Sequence, residues 1–334
     1  MRRKKTSGRE RREFWIALGF LAPNFFGFII FAAGPVLFSL AVSFTNWNLQ
    51  RTIPFRMTFL ENYATLMRDK EFWLYFINTG YLMLGMPIAI FGSLFLAILL
   101  NQKLRGALVY RTLFYLPCVT SGVALMILWK ALYNPDFGPV NTAINWFIEH
   151  FYINDLIRFL GGEGASAPPW LLSTKNLLGM YPDDIRIGSG QFGLGARDAI
   201  IIMGIWTAIG GNNMILYLAA LSNVSQDLYE AAEIDGAGTW AMFKNVTWPQ
   251  LAPTTFFIVV MSFIGGLQGG FEQARVMTGG GPAGTTTTLA YYIYVKAFEE
   301  FQIGYASAVS WALFMIIFAV TLVNWKFGAK ELHY

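Results

Sequence analysis

The sequence predicts an all-α integral membrane protein with six transmembrane helices. Hydrophobic residues make up 55% of the 334 residues and charged residues only 13%, whereas soluble domains carry about 25% charged residues. Six apolar runs can cross a bilayer core of about 30 Å, which takes about 20 helical residues. These runs lack the alternation of a barrel strand, and a helix pairs its backbone groups internally, so helices are expected.

The six predicted spans define a transmembrane domain over 15–330, preceded by a basic N-terminus over 1–14. In order, the spans are about 15–41, 74–100, 108–130, 199–221, 253–271 and 303–325. The third is the weakest, because Arg111 lies near its start and Pro117 lies inside it. A proline inside a helix predicts a kink.

The distribution of Lys and Arg predicts the orientation of the spans, because basic residues near span ends mark the cytoplasmic side. These residues are Arg2, Arg3, Lys4, Lys5, Arg9, Arg11, Arg12, Lys103, Arg105, Arg111, Lys326 and Lys330. Both termini and the segment 222–250 are therefore expected in the cytoplasm, and 133–198 is expected to form a long extracytoplasmic loop. The N-terminal cluster is more typical of such a topology signal than of nucleic-acid binding, and the first apolar run is too long for a cleaved signal peptide.

Several kinds of chemistry are disfavoured. The single Cys118 cannot form an internal disulfide, and His150 and His333 cannot complete a zinc or haem site with it, so no metal site is expected. The phosphate-binding motif G-x-x-x-x-G-K-S/T does not occur, so this chain is not an ATPase. No ionisable residue lies in the middle of a predicted span, whereas ion-coupled carriers use such residues. Uphill transport would need energy from another subunit.

The two long outward segments have different patterns. The segment 133–198 holds apolar residues near helical spacing, which favours an interfacial helix over a surface for docking a receptor. These residues are Ile144, Phe147, Ile148, Phe151 and Leu160. Between the fifth and sixth spans, the run Thr285–Thr288 favours a turn or a strand over a helix.

The segment 228–238 is a short polar stretch between two long apolar runs. Its Glu, Ala, Leu and Ile residues predict a helix, which Gly236 ends because glycine takes positive φ without strain. A second short helix is expected from Trp240 to Val246, ended by Pro249. The acidic residues of 222–250 point to a basic partner surface.

The spacing of Glu230-Ala231-Ala232, Gly236, Val246 and Pro249 resembles the cytoplasmic EAA loop of permease subunits of bacterial binding-protein-dependent ABC importers. Trp248 stands where that family usually has Leu. Further matches resemble the branch that transports sugars and glycerol phosphate. They are Leu116-Pro117, Tyr133–Gly138, Met277–Pro282 and Tyr291–Tyr294.

This resemblance implies the six-helix permease fold of a type I importer in the bacterial inner membrane, working by alternating access. It implies a shorter paralogous permease as heterodimer partner, two cytoplasmic ATPases that bind ATP and Mg, and an extracytoplasmic solute-binding protein. This chain itself would hold no cofactor. The residues expected to couple it to the ATPase are Glu230, Ala231, Ala232, Asp235, Gly236 and Pro249.

Three amides in the fourth and fifth spans are the candidate solute contacts. Asn212, Asn213 and Gln268 lie where lipid would not satisfy them, so they either bond between helices or contact solute, and Phe271 nearby would suit a sugar ring. The glycines at 265, 266, 269 and 270 indicate close helix packing or a gate with equal weight.

Three other functions remain open from the residues. Within the same class, the solute could be glycerol 3-phosphate or another polyol. A membrane-embedded enzyme is a different class, but its candidate acids Asp136, Glu149, Asp155 and Glu163 are scattered without a motif. A scaffold that transports nothing would use the 222–250 loop for assembly alone.

Overall fold

The computed structural model describes residues 8–50, 54–102, 105–159, 164–182, 184 and 186–328. Within these ranges the regular structure is helical apart from two isolated β-bridges, Thr45 with Met57 and Asn176 with Phe192. The predicted all-α class is confirmed. The residues named above that lie outside the described ranges are Arg2, Arg3, Lys4, Lys5, Lys103, Leu160, Glu163, Lys330 and His333, together with the side chains of Arg9 and Arg11.

Seventeen α-helices are found in the described part of the chain. They are α1 (Gly8–Phe28), α2 (Gly34–Ser43), α3 (Glu61–Arg68), α4 (Lys70–Leu82), α5 (Gly85–Asn101), α6 (Ala107–Val119), α7 (Gly122–Leu132), α8 (Pro139–His150), α9 (Ile153–Phe159), α10 (Ala196–Ile209), α11 (Asn212–Ser222), α12 (Gln226–Ile234), α13 (Thr239–Met242), α14 (Trp248–Gln268), α15 (Phe271–Gln273), α16 (Leu289–Tyr294) and α17 (Ile303–Gly328). Five-residue π turns follow α1, α13, α15 and α16.

Five helical runs in the described residues are long and apolar enough to cross a membrane. They are Arg12–Ser43, Lys70–Asn101, Ala196–Ser222, Thr239–Thr278 and Ile303–Lys326. Helices α6 and α7 make a sixth if they count as one span, although they meet at an angle of 94°.

The bend between α6 and α7 is much sharper than the kink expected in the predicted span 108–130. It falls beyond Pro117, at Thr120 and Ser121, whose ψ angles of 142° and 125° are extended. Val119 and Thr120 are β-branched, and Ser121 and Gly122 are also weak helix formers, so the helix breaks where the local sequence supports it least.

The predicted spans 199–221 and 253–271 are also interrupted or shifted. Gly210 and Gly211 separate α10 from α11, and a Cβ on Gly210 would overlap the carbonyl oxygen of Phe114 on α6. Helix α14 begins at Trp248 and ends at Gln268, because Gly270 with φ +85° turns the chain. Phe271 was predicted to end the fifth span, but it lies beyond the end of α14.

One compact unit comprises Asp69–Ile293 and Ala312–Tyr334. Its core includes Leu94, Met214, Tyr217, Leu251 and Ile258, contributed by α5, α11 and α14. Small residues allow α5 to pack closely on α10: a Cβ on Gly85 would lie 2.8 Å from Ile201, and one on Gly92 would lie 2.7 Å from Ile209. Such small-residue faces are how helices associate in a membrane, where no hydrophobic effect drives them together.

The other unit comprises Met1–Arg68 and Tyr294–Trp311. Its backbone hydrogen bonds join the segment after α2 to the start of α17, from Gly304 N to Trp47 O at 3.0 Å and from Leu49 N to Phe301 O at 3.1 Å. The Asn62 amide donates to the carbonyls of Ser43 and Thr45, both at 2.8 Å.

The local structure expected in 133–198 and in the run Thr285–Thr288 agrees with the described residues, except that Phe151 lies just after α8 and not within a helix. The apolar pattern in 133–198 does form helices, α8 and α9, and α8 exposes Trp146 and Phe147. Its location at a membrane interface stays a prediction. Thr285 and Thr286 form a turn, and Thr287 and Thr288 precede α16. All four are buried.

Candidate functional site

Helix α12 of the 222–250 loop is capped at its N-terminus by the Ser225 side chain. The Ser225 hydroxyl accepts a hydrogen bond from Asp227 N at 3.3 Å, and Asp227 places a negative charge in the first helical turn. Both features offset the unpaired N–H groups and the positive end of the helix dipole. The helix therefore needs no contact with the rest of the chain to begin at this point.

The C-terminus of α12 is closed by Gly236. This residue has φ +76°, as expected, and its N–H donates to Glu233 O at 3.0 Å. The next N–H, of Ala237, donates back to Ala232 O at 2.9 Å. These two bonds form the Schellman motif, which satisfies the last carbonyls of a helix and reverses the chain direction.

Pro249 does not end a second short helix, contrary to expectation. Helix α13, the π turn over Phe243–Thr247 and α14 follow one another without a break. Pro249 lies directly after the π turn, in the first turn of α14, so the helical run continues through it although proline has no N–H to donate to the preceding turn. The Tyr229 hydroxyl and the Thr247 hydroxyl lie 2.9 Å apart, so α12 is fastened to the base of the long helix α14.

The 222–250 loop presents both acidic and apolar side chains to solvent. Five of the six predicted coupling residues are exposed, and Ala232 is half-buried. The side chains of Ile234 and Trp240 are 87% and 73% exposed, although neither is among the predicted coupling residues. Ile234 and Trp240 are therefore available for contact with a partner.

A cavity of about 360 Å³ lies among α4, α5, α10, α11, α14, α15 and the segment before α16. Its wall is mostly apolar but includes five polar side chains, Thr79, Asn213, Ser262, Gln273 and Thr288. Among the described residues that line it, none is ionisable. A cavity of this chemistry suits a neutral solute with hydroxyl groups.

The four candidate solute contacts do not converge on this cavity. Only Asn213 lines it. Asn212 instead accepts a hydrogen bond from the Tyr115 hydroxyl at 3.3 Å, because successive helical residues point in directions about 100° apart. Gln268 is exposed at the end of α14, and Phe271 packs near Tyr291 with 6.1 Å between ring centroids.

The glycines at 265, 266, 269 and 270 line the cavity, and two of them let other parts of the chain pack closely against them. A Cβ on Gly266 would lie 2.9 Å from Met83, and one on Gly270 would overlap Thr288. Gly265 has no such neighbour, but it lines the cavity as Gly266, Gly269 and Gly270 do. Close packing is therefore observed at two of the four positions.

Arg197 and Asp198 were assigned to the end of the long outward loop, but they lie in the first turn of α10 and are buried. The Asp198 carboxylate accepts hydrogen bonds from the Tyr81 hydroxyl at 2.6 Å and from Gly195 N at 3.1 Å. The Arg197 guanidinium contacts Asn78 and Thr285. The sequence did offer a signal for this buried cluster, because two adjacent charged residues stand directly before an apolar run.

The 133–138 motif forms a compact corner beside this cluster. The Tyr133 hydroxyl donates to Ala199 O at 3.0 Å, and the ring lies 4.9 Å from that of Trp170. Burial raises the pKa of the Tyr133 phenol above its ordinary value, so it stays a neutral donor.

Asp184 and Arg186 form an ion pair in the same 133–198 segment. The hydrogen bonds from Arg186 hold the pKa of the Asp184 carboxyl below its usual value.

Comparison with known proteins identifies the family. Residues 68–326 match the family described as "Binding-protein-dependent transport system inner membrane component". The probable ABC transporter permease protein YesP of Bacillus subtilis is 29% identical over 335 residues, covering 99% of this chain and 96% of that protein. The lactose transport system permease protein LacF of Rhizobium radiobacter is 30% identical, covering 93% of each chain.

A solved structure has the same fold. It is a bacterial ABC transporter involved in the import of the acidic polysaccharide alginate, and its matching chain superposes with a TM-score of 0.73 at 22% identity, covering 96% of this chain and 98% of that one. The sn-glycerol-3-phosphate transport system permease protein UgpA of Yersinia enterocolitica is 29% identical in sequence, covering 82% of this chain and 81% of that protein. The chain therefore belongs to the inner-membrane components of binding-protein-dependent transport systems, which are transport permeases and not enzymes.

Proposed function

We propose that this chain is one of two permease subunits of an ATP-driven importer and carries a neutral sugar across the bacterial cytoplasmic membrane by alternating access. The observation that carries the proposal is the ordered, exposed helix α12, closed at both ends and fastened to α14. It lies at the start of α14, whereas the cavity is lined by Ser262, Gly265 and Gly266 near the other end of that helix. In the proposed orientation both termini and this loop are cytoplasmic.

The geometry of the 222–250 loop supports coupling to a separate ATPase. Driving a two-state pathway from mostly closed to mostly open needs about 5.5 kcal/mol of differential binding. A flexible loop would absorb a displacement, whereas the bond between Tyr229 and Thr247 transmits it to α14. Ile234 and Trp240 supply apolar anchors for the ATPase, and Glu230 supplies a charge-assisted hydrogen bond to a basic group. ATP and Mg bind to the ATPase subunits.

The remaining partners are a second permease subunit and a solute-binding protein outside the membrane. The proposal of a paralogous, heterodimeric partner rests on the resemblance of Met277–Pro282 to the permease that pairs with a shorter one. A solute-binding protein is supported by the related alginate transporter, which was solved in complex with an alginate pentasaccharide-bound periplasmic protein.

The cavity favours a sugar over glycerol 3-phosphate. Its amides and hydroxyls can bond to sugar hydroxyls, and its aliphatic wall can cover a ring face. A phosphate would need a basic partner, and none of the described lining residues is basic. Relatives named for lactose and for multiple sugars agree with a sugar, and the relatives named for sn-glycerol-3-phosphate keep that solute as the alternative.

The test is transport by the intact complex. The full-length chain is purified in mild detergent, its co-eluting subunits are identified by mass spectrometry, and the complex is reconstituted with ATP. We expect a second permease, an ATPase and ATP-dependent uptake of a neutral saccharide from a panel that includes radiolabelled lactose. Uptake without nucleotide, or uptake of glycerol 3-phosphate but of no saccharide, would contradict the proposal.

A charge reversal in the loop tests the coupling separately. Glu230→Lys should lower sugar-stimulated ATP hydrolysis, because it places a cation against the basic partner surface. Glu299→Lys is the matched control, since Glu299 ends the π turn after α16 and lies outside the 222–250 loop. Equal hydrolysis rates in the two variants would argue against a role for Glu230.

A further inference from the structure

Arg197 is among the largest side chains that are fully buried, with 2% of its surface exposed. Its Nε donates to Thr285 O at 2.9 Å, and its Nη2 donates to Asn78 Oδ1 at 2.7 Å. Its Cζ lies 5.3 Å from the ring centroid of Tyr81, which is close enough for a cation–π contact. One guanidinium thus joins α10, α4 and the segment before α16.

Asn78 extends this connection. Its amide nitrogen donates to Gly284 O at 2.9 Å and to Thr287 O at 3.1 Å. Three carbonyls of the 284–287 segment therefore accept hydrogen bonds from two side chains. Gly284 O also accepts from Thr287 N at 3.1 Å within the turn. Thr285 and Thr287 are buried, so leaving either carbonyl without its side-chain donor would be costly.

Asn78 and Thr287 are each followed in the chain by a residue that lines the cavity. Thr79 follows Asn78, and Thr288 follows Thr287. The Thr79 hydroxyl also accepts a hydrogen bond from Leu289 N at 3.1 Å, which fixes the segment directly after Thr288. Displacing the 284–288 segment would therefore move part of the cavity wall.

We propose that Arg197 is a positioning residue for transport. It holds the 284–288 segment against α4 and so closes the end of the cavity remote from the 222–250 loop. The inference rests on the proposed function for its relevance to transport, because it assigns Arg197 to the wall of the solute pathway. Arg197 does not line the cavity, so its effect on solute is indirect.

A lysine at position 197 should not reproduce the hydrogen bonds of Arg197. The guanidinium donates from two nitrogens in a planar fork, and here the two acceptors lie on different elements. An ammonium group is a compact charge without this fork, and it stacks less well on an aromatic ring. Arg197→Lys keeps the charge but should leave at least one acceptor without its donor.

The test measures access to the cavity without solute or nucleotide. In a Cys118→Ser background, Ser262→Cys gives this chain a single thiol, which lies in the cavity wall, and its modification is read on this chain within the complete reconstituted complex. The probe is 2-sulfonatoethyl methanethiosulfonate, a charged thiol reagent that does not cross the bilayer, added to the side opposite the 222–250 loop. We expect Arg197→Lys and Arg197→Met to speed modification about tenfold, equivalent to about 1.4 kcal/mol in the opening equilibrium.

Two controls separate positioning from general destabilisation. A reporter thiol at the start of the 222–250 loop, made by Ser222→Cys and read with the reagent added on the side of that loop, should react at the same rate with and without Arg197, because Ser222 is exposed. Arg186→Lys should leave the Ser262→Cys rate unchanged, because the Arg186 side chain is 83% exposed and pairs with Asp184. A rise at both reporters would show global loosening and overturn the proposal, as would an unchanged rate at Ser262→Cys.

Asn78→Asp tests the same segment if the Arg197 variants do not assemble. Aspartate keeps an acceptor for Arg197 but loses the donor to the carbonyls of Gly284 and Thr287. Its Ser262→Cys rate should also rise about tenfold. An unchanged rate would overturn the proposal. Since no solute is used, either result is independent of whether sugar uptake is observed.

Discussion

Replacing Gly236 by Ala adds one methyl group to the residue that ends helix α12. A Cβ at this position would have no other atom within 4 Å, so the methyl group meets no neighbour. The cost is that of the backbone alone, because φ is +76°. A residue with a Cβ pays about 1 to 2 kcal/mol in this left-handed conformation. The equilibrium between the Schellman turn and other conformations should therefore shift by about 5- to 30-fold.

Gly238→Ala is the matched control. The same chemical change occurs two residues further on, again with nothing within 4 Å, but Gly238 has φ −73° and ψ 168°, which any residue adopts. Gly236→Asn should have a smaller effect than Gly236→Ala, since Asn tolerates the left-handed region better. Gly236→Val should have the largest, because a β-branched side chain fits that region worst.

The assay is the affinity of the purified permease complex for its ATPase, followed by sugar-stimulated ATP hydrolysis. The apparent Kd rises as the fraction of loops in the binding conformation falls. We therefore expect it to rise by up to about 5- to 30-fold for Gly236→Ala and to stay unchanged for Gly238→Ala. Equal affinities and hydrolysis rates for these two variants would refute the reasoning that the shape of the turn is what the ATPase recognises.

Three further predictions concern the loop, the cavity and the helix packing. Trp240→Ala should weaken ATPase binding about 30-fold in a titration, because buried aromatic anchors contribute about 2 kcal/mol or more. An unchanged Kd would remove Trp240 from the interface. Asn213→Ala should lower sugar uptake while Asn212→Ala does not, since only Asn213 lines the cavity; the reverse order would contradict this assignment. Gly210→Ala should lower the melting temperature in detergent, because its Cβ overlaps Phe114 O and overpacking costs about 1 to 3 kcal/mol. Gly204→Ala, which meets no neighbour, should not; equal melting temperatures would argue against close packing at Gly210.

The structure also shows why some sequence predictions succeeded. The end of α12 at Gly236 was predicted, because it depends on bonds to residues three to five positions away. The cap by Ser225 is just as local, since it bonds to Asp227 N, but it was not predicted. The boundary at Phe271 was wrong because apolar composition continues past Gln268, whereas the helix ends where Gly270 adopts φ +85°.

The sequence by itself determined that this chain crosses the membrane as helices and that an ordered helix ends at Gly236, because both depend on composition and on bonds between near neighbours. Only the tertiary structure decided which polar groups meet. Arg197 reaches Thr285 and Asn78 across 88 and 119 positions of the chain. Such pairs have no periodicity to reveal them, since they depend on how α4, α10 and the segment before α16 pack in three dimensions.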